Sequence, residues 1–110
     1  MRRLILVLAC ALALSAAQQK KILVAYSSPG LLEDLQSVTP DARLVAVTQA
    51  NVMQELPDAD AFIGDITSAE VRAGKNLKWV GVMSAGVEKV LFPADGTSDL
   101  RNSDIVLTNN

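Results

Sequence analysis

Residues 61–83 read Ala61-Phe62-Ile63-Gly64-Asp65-Ile66-Thr67-Ser68-Ala69-Glu70-Val71-Arg72-Ala73-Gly74-Lys75-Asn76-Leu77-Lys78-Trp79-Val80-Gly81-Val82-Met83. Two short apolar runs, 61–64 and 78–83, bracket a polar stretch. Each run is nearly continuous in hydrophobicity, which is how strands covered on both faces read. Thr67 and Glu70 stand at capping-box spacing, so a helix is predicted from Thr67, ending at Gly74 as its C-terminal cap. A strand, a helix and a second strand within 23 residues form one βαβ unit, and its strands must be parallel.

The same alternation extends outward in both directions. Upstream lie two more predicted strands, 21–26 (Lys-Ile-Leu-Val-Ala-Tyr) and 43–47 (Arg-Leu-Val-Ala-Val). Between them, 29–38 carries Leu31, Leu32, Leu35 and Val38 at helical spacing, with Ser27-Ser28 as expected caps ahead of Pro29. A short helix is expected over 51–56, ended by Pro57-Asp58. Downstream, a helix is expected over 87–92 and an Asp95-Gly96 turn within the 93–99 loop. A fifth strand, 105–108, closes the pattern. These elements predict an α/β fold, a flavodoxin-like parallel sheet in the order 2-1-3-4-5. In it, Trp79 is expected in the core, while Lys20-Lys21 and Glu33-Asp34 are expected on the solvated surface.

The amino-terminal end reads differently. Met1-Arg2-Arg3 is cationic, residues 4–14 are apolar without a charge, and Ser15-Ala16-Ala17 are small. That is the layout of a signal peptide over 1–17 with cleavage after Ala17. The apolar run is too short for a comfortable membrane span. The expected localisation is therefore periplasmic or secreted, with no membrane association after cleavage. A true start near Lys20 or Lys21 would make the protein cytoplasmic. Removing residues 1–17 from 110 leaves 93, and the loss of Arg2 and Arg3 moves the formal charge from -2 to -4.

Composition excludes several chemistries. The sequence holds no histidine and one cysteine, Cys10, which the expected cleavage removes. It therefore supplies no His general base and no Cys- or His-rich metal site. The acidic balance argues against a nucleic-acid partner, which needs a basic face. No G-x-G-x-x-G is present. Gly81 and Gly86 have the outer spacing of a P-loop, but Val87-Glu88 stands where Lys-Ser/Thr is required.

In an open parallel sheet, ligands bind beyond the carboxyl ends of the strands. The segment Met83-Ser84-Ala85-Gly86-Val87-Glu88 places a small turn there, ahead of a helix. Such a turn can aim several backbone N–H groups at one anion, a carboxylate or a phosphate. Ser84, Ala85, Gly86 and Val87 are the candidate binding residues, with Asp65 facing the same crevice.

Three blocks carry a resemblance. They are "D-A-D-A-F-I-G" at 58–64, "N-L-K-W-V" at 76–80 and "S-A-G-V-E" at 84–88, followed by Ser103-Asp104-Ile105-Val106-Leu107-Thr108-Asn109. In this order and spacing they resemble the first half of the substrate domain of D-isomer-specific 2-hydroxyacid dehydrogenases. The likeness covers roughly residues 20–110 and is most specific over 77–88. It implies that the loop 84–87 offers N–H groups to the carboxylate of a small 2-hydroxy or 2-oxo acid, with Glu88 where the family often has Asp. It also implies an oxidoreductase using NAD or NADP and a homodimer for the full-length enzyme. The family's nucleotide-binding domain and its catalytic Arg, acidic residue and His would all follow Asn110. Residues 18–110 are therefore expected to be an incomplete half of a two-domain dehydrogenase, not competent alone and binding no cofactor alone. An apolar face is expected to lack its cover. A reading of another class is an exported flavodoxin-like ligand-binding module, such as one lobe of a periplasmic solute-binding protein. The leader and the missing catalytic groups favour it.

Overall fold

The computed structural model describes residues 19–25 and 28–109, and the expected leader, Tyr26 and Ser27 lie outside them. The elements are β1 Lys21–Val24, α1 Leu31–Val38, β2 Arg43–Ala46, α2 Val52–Glu55, a 3-10 turn Leu56–Asp58, β3 Ala61–Ile63, α3 Ser68–Ala73, β4 Trp79–Val82, α4 Glu88–Leu91 and β5 Val106–Asn109. All strand pairs are parallel, and the sheet order is β2-β1-β3-β4-β5. This is the predicted flavodoxin-like arrangement. Among the described residues no helix is long and apolar enough to cross a membrane.

Register explains where the core sits. Val45, Leu23, Phe62, Val80 and Leu107 lie in one row across all five strands. Side chains alternate between faces, so this row points to one side. There Leu23, Phe62 and Val80 are fully buried, against Val52 of α2, Leu56 of the 3-10 turn, Val90 of α4, and Leu77 and Leu100 from loops. The 3-10 turn passes through Pro57, so the chain tightens after α2 rather than stopping at that proline.

The opposite row holds Leu44, Ile22, Ala61, Trp79 and Val106. Here the cover is thin. None of the residues of α1 is buried, and Val38 is 78% exposed. Trp79 belongs to this face and is only half-buried, which corrects its expected place in the core. Its indole lies over Gly81, where an added Cβ would come within 2.7 Å of the ring, and its Nε1–H donates to Thr108 Oγ1 at 2.8 Å. Leu31, Leu32 and Leu35 of the α1 stripe are only half-covered.

Local signals met mixed outcomes. The Thr67–Glu70 capping box forms in both directions. Gly74 ends α3 at φ -85, so its role is space: an added Cβ would collide with Leu77 Cδ1. The serine cap of the first helix is not used. Gly30 takes the cap position at φ 80, and no side chain caps the helix.

Lys21 was expected on the surface and is instead buried, with a side chain only 8% exposed. Its Nζ donates to the Glu55 carboxylate at 2.8 Å, the Asp58 carboxylate at 2.5 Å and the Glu55 carbonyl at 3.0 Å. Its own N–H donates to Asp60 Oδ2 at 2.9 Å. The cause is register: Lys21 shares its face with Leu23, and the 3-10 turn brings Asp58 beneath it. An ammonium buried this way needs its donors satisfied, and three acceptors satisfy them.

Candidate functional site

The carboxyl ends of β1, β3 and β4 meet at the point where strand order reverses. There Ala25, Gly64, Asp65, Met83 and Ser84 line a crevice of about 390 Å³. That is the size of a small-molecule site. The sequence brings the strands together through ladder continuations: the Ala25 N–H donates to Ile63 O at 2.8 Å and the Gly64 N–H to Gly81 O at 2.9 Å. Gly64 sits at φ 141, where other residues are strained, and an added Cβ would stand 3.0 Å from Ala25 Cβ. A glycine is needed here both for its backbone and for its lack of a side chain.

The candidate residues 84–87 form the loop between β4 and α4. Ser84, Ala85 and Gly86 are exposed and Val87 is half-buried. The loop's carbonyls are tied back. Ser84 Oγ donates to Gly86 O at 2.9 Å, and Asn109 Nδ2 donates to Ala85 O at 2.6 Å. By contrast, the N–H groups of Ala85, Gly86 and Val87 have no acceptor among the described residues. An exposed loop with engaged carbonyls and open N–H groups favours an anionic partner.

The surrounding charge works the other way. Asp65 is exposed at the rim, and no Lys or Arg is among the residues lining this crevice. Glu88 folds back so that its carboxylate lies against Gly86, where an added Cβ would strike Glu88 Oε2. A carboxylate ligand would therefore meet a carboxylate already beside the loop. Lys89 lines a neighbouring crevice of about 380 Å³ together with Asp65, Ser68 and Asp95. Asp65 borders both spaces; the structure brings it and Ser84 to one cavity, while Ala85, Gly86 and Val87 are not among the residues lining it.

The Asp95 carboxylate at the edge of the second crevice is held below its ordinary pKa. The hydroxyl of Thr97 donates to it at 2.7 Å and the Thr97 N–H at 3.0 Å. The Thr97 hydroxyl also meets Ser68 Oγ at 2.5 Å, which links the 93–99 loop to the start of α3.

Sequence reasoning missed Ala25, Met83, Lys89 and Asn109. Ala25 and Met83 follow directly from strand ends and were within reach of the topology. Asn109 becomes part of the site only because β5 lies beside β4.

The chain matches none of the protein-family models or curated proteins with which it was compared.

Proposed function

We propose that residues 18–110 are the first part of the substrate domain of an NAD(P)-dependent D-2-hydroxyacid dehydrogenase. In this reading the loop 84–87 binds the carboxylate of a small 2-hydroxy or 2-oxo acid. The observation that carries it is the pattern of hydrogen bonds in that loop: carbonyls held by Ser84 and Asn109, and N–H groups of Ala85, Gly86 and Val87 without an acceptor among the described residues. The blocks at 58–64, 76–80 and 84–88 supply the family.

The chain's own part in such a reaction is binding and orientation. A carboxylate at the loop would place C2 of the acid over the crevice between Gly64 and Ser84. Asp65 at the rim would face the hydroxyl end. A nicotinamide cofactor does not fit the described residues. The turn after β1 carries Gly30 alone, without the paired glycines that let a backbone approach a pyrophosphate. Asp65 is the titratable side chain lining the crevice among the described residues.

The test is a titration of the full chain by NMR with 2-hydroxypropanoate, against its methyl ester as control. The amide protons of residues 85–87 are expected to move with the acid and not with the ester. Shifts scattered over the surface, or none at millimolar acid, would overturn the reading. A reading frame continuing past Asn110 into G-x-G-x-x-G would favour the dehydrogenase over the exported binding module, which the leader-like start supports.

A further inference from the structure

We propose that Asp95–Gly96 is a site of spontaneous isomerisation to isoaspartate, and that Thr97 restrains it in the folded chain. It is the one Asp–Gly step in the sequence, which has no Asn–Gly. The Gly96 nitrogen attacks Cγ of Asp95, and a bond from Cγ to a carboxyl oxygen breaks. That oxygen leaves as water with the carboxyl proton and the amide proton. The product is a five-membered succinimide. Water then adds to a carbonyl carbon of the ring, and the bond from that carbon to nitrogen breaks. Opening at the main-chain carbonyl leaves the chain running through the side chain, which is isoaspartate. The sequence needs no oxidant and no co-reactant besides water.

Sterically the step is open. Asp95 and Gly96 are both exposed. Gly96 sits at φ 79, and nothing lies within 4 Å of the place a Cβ would take, so the attacking nitrogen is not shielded. Hydrogen bonds hold the reaction back instead. The Gly96 N–H donates to Pro93 O at 3.0 Å, a bond that attack must break. Asp95 Oδ1 accepts from Thr97 Oγ1 at 2.7 Å and from the Thr97 N–H at 3.0 Å, and both resist the movement of Cγ onto the nitrogen. They also favour the carboxylate, whereas the carboxylic acid is the form that loses water. Thr97 is anchored in turn. Its one hydroxyl proton is given to Asp95, so Ser68 Oγ is the donor to Thr97. Further along the loop, Arg72 of α3 donates to Asp99 Oδ2 at 2.8 Å. Docking on α3 therefore keeps the reactive step closed. Isomerisation puts the Asp95 Cβ into the main chain, lengthens the loop and pulls Thr97 away from Ser68. It would loosen the wall of the crevice that Asp95 shares with Asp65 and Lys89.

The experiment incubates the full chain for weeks at neutral pH and physiological temperature, with and without guanidinium chloride, and then digests it with trypsin. Cleavage after Lys89 and Arg101 releases residues 90–101. Chromatography and electron-transfer fragmentation then separate isoaspartate from aspartate at residue 95. The folded parent is expected to isomerise several-fold more slowly than the unfolded chain. Thr97→Val, with its fold checked by circular dichroism, should isomerise several-fold faster than the folded parent, and Thr97→Ser at about the parent's rate. No isoaspartate at residue 95 in the unfolded chain would overturn the site. Equal rates in the folded and unfolded parent would overturn the restraint whether or not a variant folds, and a folded Thr97→Val no faster than the parent would overturn the role of Thr97.

Discussion

Replacing Lys21 with methionine tests the reasoning about the amino end of the sheet. Methionine keeps most of the apolar stem and removes the ammonium. Three acceptors then lose their donor: the Glu55 carboxylate, the Asp58 carboxylate and the Glu55 carbonyl. Breaking a fully buried pair costs about 3–5 kcal/mol. This cluster is only partly dry, since the Asp58 side chain is 69% exposed and that of Glu55 is 29% exposed. Both carboxylates regain water, and a loss of about 2 kcal/mol remains. For a domain of this size that lowers the melting temperature by about 10 °C. The assay is thermal unfolding of the full chain followed by circular dichroism at pH 7. A drop of less than about 2 °C would refute the argument that the cluster fastens β1 to the 3-10 turn. The pH dependence gives a second check. Burial alone would lower the Lys21 pKa, but the hydrogen bonds to Asp58 and Glu55 outweigh it and raise it. The hydrogen bond from Lys21 holds Asp58 below its ordinary value, against a weaker opposing effect of burial. The Asp58 contribution is complete above the ordinary carboxylate range and lost as pH falls through its depressed folded pKa. That of Lys21 is complete below the ordinary lysine range and lost as pH rises through its raised folded pKa. The difference between parent and variant should therefore be flat from about pH 5 to pH 9 and shrink on either side.

Three other outcomes are expected. Gly64→Ala forces a side chain onto a backbone at φ 141 and against Ala25, so it should destabilise by about 1–3 kcal/mol in a urea unfolding series; an unchanged midpoint would contradict the strain. Thr67→Ala removes the capping hydroxyl of α3 and should cost about 1 kcal/mol by the same measurement, with Thr67→Ser recovering most of it. Glu88→Gln neutralises the carboxylate beside Gly86 and should tighten carboxylate binding at 85–87 several-fold in the NMR titration, most at low salt; weaker binding would show that Glu88 helps rather than opposes the ligand.

The strand order was legible because each connection leaves a mark in the sequence. Four of the strand runs are bounded by helix or turn signals, and Thr67 with Glu70 announces a helix start that the structure uses. Lys21 was not legible. A Lys-Lys pair before a strand reads as solvated, and its burial depends on Asp58, 37 residues away. Trp79 shows a related limit. The run 78–83 is apolar on both faces, so hydrophobicity alone does not separate the well-covered face that takes Val80 from the thinly covered one that takes Trp79. The stripe on α1 has the same defect: spacing shows that a helix has an apolar side, not how much covers that side. At the site, the position of 84–87 beyond a strand was readable. The tethering of the loop's carbonyls was not, because it depends on where Asn109 and the Ser84 hydroxyl direct their hydrogen bonds.

The two ends of the sheet are built for different work. At the amino end a buried cation is surrounded by acceptors, and its backbone N–H is also engaged. At the carboxyl end the polarity is inverted, with carbonyls of the 84–87 loop occupied and the N–H groups of Ala85, Gly86 and Val87 without an acceptor among the described residues. With no basic side chain lining the crevice, any pull on an anion comes from peptide dipoles. Dipoles fixed by side-chain tethers need little reorganisation to meet a ligand, which is how a weak field becomes a selective one. Asp65 and Glu88 add charge of the opposite effect. In the proposed reading, these two carboxylates near the loop would repel an anion that does not reach the N–H groups. Strands of only three or four residues separate the tethered loop from the Lys21 cluster by roughly 13 Å. At that spacing, changes at the two ends should act independently. The stability of the domain and the character of its crevice can then vary separately.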